Sequence, residues 1–156
     1  MIDEAKFNRF SIALRDFERA EAFIKEARNH QYGGLVHEAL VLSAIVCYYR
    51  PFTNNERNPN SAAASRLELS DFSPLSRNQL DIHETCKELR NKALAHAEIT
   101  HHPTKLDREK GVISSPVFSL VGKAPLLEEM SELIGKLISQ CDDKRADYVN
   151  SVRNTP

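Results

Sequence analysis

The stretch Leu35-Val36-His37-Glu38-Ala39-Leu40-Val41-Leu42-Ser43-Ala44-Ile45-Val46-Cys47-Tyr48-Tyr49 leaves almost no polar face when wound at helical periodicity. Such a helix belongs among other helices rather than on a surface. Tyr48-Tyr49-Arg50-Pro51-Phe52 ends it, because Pro51 lacks an N–H and pushes Arg50 out of the helical region. On its amino-terminal side, Phe7, Phe10, Leu14, Phe17, Ala20, Ile24 and Ala27 recur at three- and four-residue steps and predict one amphipathic helix from Glu4 to Asn29. His30 to Gly34 carries the stop, since two glycines accept the left-handed backbone a sharp reversal requires.

On its carboxyl-terminal side, Thr53 to Ser76 is rich in Asn, Ser, Pro and Arg, with Ser61 to Leu69 able to form a short helix. A connection this long in a compact domain suggests a site loop. Ile82, Cys86, Leu89, Ala93 and Ala97 mark a third helix from Arg77 to about Ala97. Glu98 to Gly122 is a second irregular stretch, broken at His101-His102-Pro103, with Val112 to Val121 as paired short strands. Leu126, Met130, Leu133, Leu137, Ile138, Cys141, Tyr148 and Val152 mark a long last helix, with Pro125 suited to its first turn. The expectation is an all-α four-helix bundle with two long irregular inter-helix segments, forming one domain over residues 1–156.

Composition agrees with a globular chain. Its 156 residues, 41% hydrophobic, are enough to bury a core without disulfides or structural metal. Twenty-one Lys plus Arg against 22 Asp plus Glu give a net charge of -1, so no chain-wide positive field draws in nucleic acid or anionic lipid. Any contact with RNA is local. The apolar run Ala39 to Tyr49 is far short of the roughly 20 residues of a spanning helix. Asp3, Glu4 and Lys6 interrupt the amino terminus in a way unlike a secretory signal, so a cytoplasmic protein is expected. Cys47, Cys86 and Cys141 each fall on an apolar helical face and read as reduced core thiols. His96, His101, His102 and Asp107 lack any metal-ligand spacing rule, and no metal or cofactor is expected.

Common enzyme signatures are absent from the sequence: no Gly-rich loop opens a helix and no Ser sits in a nucleophile elbow. The informative segment closes the third helix, Leu89-Arg90-Asn91-Lys92-Ala93-Leu94-Ala95-His96-Ala97. It resembles the Arg-x4-6-His motif of HEPN domains, which are helical bundles. The run from His37-Glu38-Ala39 to Tyr49-Arg50-Pro51-Phe52 is similar to the second-helix exit of bacterial HEPN-like and abortive-infection proteins. Arg77-Asn78-Gln79-Leu80-Asp81-Ile82-His83 repeats the spacing, but it lies at the start of the helix, whereas Arg90 and His96 lie beside a loop able to shape a cleft.

The resemblance implies a metal-independent endoribonuclease in a toxin–antitoxin or abortive-infection setting, with a cognate antitoxin or other protein partner. It also implies a homodimer, because six residues of helix separate two side chains by about 9 Å and roughly 120°, and facing motifs of two protomers complete the cleft. Arg90 would stabilise the phosphorane, His96 would move a proton, and Asn91 would orient a partner or the RNA. His83 and Lys87 share a face with Arg90 and extend a basic strip toward RNA, or else form a solvated face paired with Glu84 and Glu88. Arg50 offers another phosphate contact, or caps helix carbonyls. HEPN toxins paired with a nucleotidyltransferase antitoxin carry a tyrosine two residues beyond the histidine, where this chain has Glu98. The alternative function is a non-catalytic bundle acting as a binding or assembly module, with Arg90 paired to an acid and His96 satisfied by a carbonyl.

Overall fold

The computed structural model describes residues 3–54, 66–95, 105–107, 112–114 and 120–154. They form α1 (Glu4–Ala27), α2 (Leu35–Tyr49), α3 (Arg77–Ala95), β1 (Lys105–Asp107), β2 (Val112–Ser114) and α4 (Leu127–Arg153). α1 packs against α2 and α4, and α3 closes the square by packing against the same two helices. The fold is an all-α helical bundle carrying one small hairpin.

Asp3 caps α1, its carboxylate accepting the Lys6 N–H at 2.8 Å. The expected stripe is the core: Phe10, Ala13, Phe17, Ala20, Ile24 and Ala27 are buried on α1 and meet Val41, Ala44, Ile45 and Tyr48 of α2 together with Met130, Leu133, Ile134 and Leu137 of α4. α3 adds Ile82, Cys86 and Leu89. All three cysteines are free and buried. Burial pushes the Cys86 and Cys141 thiols up to about 12, so both stay protonated and behave as small apolar groups.

Several boundaries differ from the sequence reading. α2 is not enclosed along its whole length: Leu35 is 85% and Val36 51% exposed, and its apolar residues are buried only from Val41 onward. In the first turns only His37 is buried, so apolar composition reports that a helix has covered faces, not that every turn is covered. β2 pairs with β1 in the register Lys105↔Ser114, Leu106↔Ile113, Asp107↔Val112, so the partner of Val112–Ser114 lies upstream of the Val112–Val121 stretch. Pro125 stands ahead of the α4 N-cap, Leu126, instead of in the first turn. The connection after α2 forms a 3₁₀ turn at Leu69–Asp71, and residues 61–65 of the expected short helix lie outside the described residues. Among the described residues no helix is long and apolar enough to cross a membrane.

The reversal after α1 divides the work between its two glycines. Gly33 takes φ +73, and a Cβ there would meet Val121 Cγ2 at 3.1 Å; Gly34 has φ -72 and serves as the α2 N-cap. Only the first needs the left-handed region. Gly33→Ala is therefore expected to lower folding stability by about 1–2 kcal/mol, measured as a shift of the urea midpoint with unchanged slope.

Candidate functional site

Beyond α2 the chain makes a 3₁₀ turn, Arg50–Phe52, and residues 66–70 return against it. Two hydrogen bonds converge on one atom to hold this arrangement: Pro51 O accepts the Leu67 N–H at 2.9 Å and Arg9 Nη2 at 2.8 Å. Arg9, fully buried on α1, also donates Nη2 to Arg50 O at 3.2 Å. Two turns further along α1, Asp16 accepts Arg50 Nη1 at 2.7 Å. Burial lowers the Arg9 pKa against the pull of Asp16, and burial raises that of Asp16 against Arg50, Arg9 and Arg19. Arg50 is thus committed to Asp16 rather than to helix carbonyls.

Between this turn, residues 66–70 and α3 lies a polar cavity of about 430 Å³, whose lining includes Tyr49, Phe52, Arg66, Ser70, His83 and Lys87. His83 is only 4% exposed, so it stands in the wall of this cavity and not on a solvated strip. Its Nδ1 shares a 2.9 Å hydrogen bond with the Tyr48 phenol, and its ring meets Phe52 edge-on with centroids 4.8 Å apart. Burial lowers the His83 pKa below 6.5, Lys87 adding to the fall and Glu84 opposing it, and burial holds the Tyr48 phenol well above its ordinary value. A neutral imidazole bonded to a protonated phenol results. Because the unfolded chain takes up this proton more readily than the folded chain, stability falls as pH drops through 6.5 toward the depressed folded value. Thermal melting followed between about pH 7 and pH 5 is expected to show this slope, and His83→Leu is expected to flatten it.

At the mouth of the cavity, Lys87 Nζ meets Glu84 Oε2 at 2.8 Å and Arg66 Nε meets Glu68 Oε1 at 2.6 Å. Burial raises the Tyr49 pKa, while Lys87, Arg90 and Arg66 pull it back and Glu84 pushes it further. Arg90 follows about one helical turn beyond Lys87 and is not among the residues that line the cavity. It is half-buried and donates Nη1 to Asn91 Oδ1 at 3.1 Å, and among the described residues it forms no ion pair. α3 is described as far as Ala95; His96, like His101 and His102, lies outside the described residues.

The structure thus brings Arg90, Asn91, Lys87 and His83 to one side of α3. Arg50 is held by Asp16, and the alternative pair separates: Arg77 is 88% exposed and bridges Asp81, whereas His83 is buried. Sequence reasoning missed Tyr48, Tyr49 and Arg66 as neighbours of these groups, because only the return of residues 66–70 makes them so. It also missed Arg9, whose sole sequence signal is a charge beside the apolar stripe. Among the described residues no group of three or more His, Cys, Asp or Glu is arranged to hold a metal ion. No protein-family model, curated protein or solved structure matches the chain.

Proposed function

We propose that the chain is a metal-independent endoribonuclease of HEPN type, working as a cytoplasmic homodimer in a toxin or phage-defence role with a cognate antitoxin or other protein partner. The observation that carries this reading is the half-buried Arg90, tethered to Asn91 and without an ion pair among the described residues, about one helical turn beyond Lys87, which lines a polar cavity. A forked, permanently charged donor in that position matches the oxygens of a phosphodiester. RNA carries its own nucleophile in the 2′-hydroxyl, so orienting that group, transferring protons and neutralising the phosphorane are the tasks left to the protein. Arg90 performs the last, His96 the second, and Asn91 steadies the guanidinium. The products are a 2′,3′-cyclic phosphate and a 5′-hydroxyl.

One feature favours the second reading, a non-catalytic binding or assembly module: Lys87 and Arg66 are both paired with carboxylates, which weakens any general attraction for RNA. Incubating the purified chain with total cellular RNA in excess chelator separates the two. Cleavage leaving cyclic phosphate termini supports the enzyme, and intact RNA at all protein concentrations supports the module.

A further inference from the structure

A second cavity, of about 240 Å³, lies where the first turns of α2 and α4 meet the segment from Leu120 to Leu126. Its walls are tied together by polar links from its own lining residues. Glu38 Oε1 accepts the Leu120 N–H at 3.0 Å, and Tyr32 Oη accepts the Gly122 N–H at 3.4 Å. The hollow itself is mainly apolar, with Val41, Leu120, Ala124 and Leu127 in its wall.

Of the polar side chains in its lining, Tyr32, His37, Glu38 and Glu128, only His37 is buried. His37 is 9% exposed and packs edge-on against Tyr32 with centroids 5.2 Å apart, and its Nδ1 is buried with no hydrogen-bond partner among the described residues. A ring nitrogen shut away from water and left unpaired is a rare and unfavourable arrangement. Both helix starts beside it also lack a side-chain cap, Gly34 on α2 and Leu126 on α4. Unmet hydrogen-bonding capacity at one edge of an otherwise apolar hollow is the pattern of a ligand pocket.

We propose that this cavity binds a small aromatic molecule bearing one hydroxyl group, independently of RNA cleavage. The volume exceeds the roughly 150 Å³ that accommodates benzene and falls short of the roughly 300 Å³ at which drug-sized pockets begin, so the occupant has one or two rings. The hydroxyl follows from His37, because Nδ1 is a donor in one tautomer and an acceptor in the other, and a hydroxyl serves both. Since Nδ1 lies below the surface, the imidazole turns against Tyr32 as the hydroxyl engages it.

The test titrates the full chain with 2-naphthol and with naphthalene, which share a ring system and differ in the hydroxyl. The chain has no tryptophan, so naphthol fluorescence is read without interference from that residue. Saturable binding of 2-naphthol about ten-fold tighter than naphthalene is expected. Two-dimensional NMR should place the shifts at His37, Tyr32 and Leu127. Ala124→Phe, which fills the hollow, should abolish binding, and His37→Phe should make the two probes equal. Equal affinities in the native chain, shifts centred elsewhere, or binding that survives Ala124→Phe would each overturn the proposal. So would a dimer that covers the exposed Leu35 and Leu126 and excludes naphthol. If Ala124→Phe fails to fold, the shift map of the native chain decides alone.

Discussion

Arg9→Met is expected to destabilise the fold by about 2 kcal/mol, the loss of a charged donor that ties two main-chain carbonyls to α1, although Pro51 O keeps the Leu67 N–H and Arg50 O keeps Thr53. The native guanidinium serves Pro51 O and Arg50 O at 2.8 and 3.2 Å, and methionine fills a similar volume while offering no donor. Asp16 keeps Arg50 but loses the second cation that lowers its pKa, so its carboxylate becomes harder to maintain. Its folded pKa is already raised, which means that its contribution to stability is present at low pH and lost as pH climbs through that value, opposite in sense to His83. Urea denaturation measures the loss. Adding Asp16→Leu is expected to deepen the loss, because it takes the carboxylate partner from Arg50 without restoring a donor to the carbonyls. A single-variant loss below about 1 kcal/mol would mean that Leu67 and Thr53 alone satisfy the two carbonyls.

The second large effect concerns catalysis. Arg90→Ala is expected to lower kcat/KM for RNA cleavage by about 10²–10³, the usual consequence of deleting one donor aimed at developing oxyanion charge. His96→Ala is expected to cost about 10²–10⁴, through the lost proton transfer. For Arg90 the fall should appear in kcat more than in KM, since the phosphorane's extra charge exists only in the transition state. Arg90→Lys keeps the charge without the fork and should recover only part of the rate. Single-turnover kinetics on a short labelled RNA gives both constants. An Arg90→Ala variant as active as the native chain would remove this residue from the reaction and return the choice to the binding module.

Much of the bundle was legible in the sequence because its helices announce themselves by period. The steps from Phe10 to Ala27 and from Met130 to Cys141 become buried faces, Ile138 only in part, and Gly33 marks its break through a left-handed backbone; before Pro51, Arg50 keeps helical angles, φ -54 and ψ -43, and the helix tightens into a 3₁₀ turn instead of breaking there. Tertiary neighbours carry no such signature. His83 sits between Ile82 and Glu84 and reads as the edge of a polar face; the phenol of Tyr48, 35 positions earlier, makes its burial tolerable. Arg9 likewise reads as a solvent charge until a turn from another helix presents it with carbonyls. The exposure of Leu35 and Val36 was hidden for the converse reason, since apolar residues at a helix start look the same whether or not anything covers them.

The shared acceptor at Pro51 has a dynamic consequence. Its oxygen takes one bond from α1 and one from the backbone that walls the polar cavity, so the Leu67 amide is bonded to an acceptor that buried Arg9 holds in place. In deuterium exchange that amide should behave as a member of the slowest cooperative unit, alongside the core of α1, in spite of its place in a long connection. On the proposed reading, the groups that rearrange for a phosphate are the paired side chains Lys87 and Arg66, not the backbone that carries them.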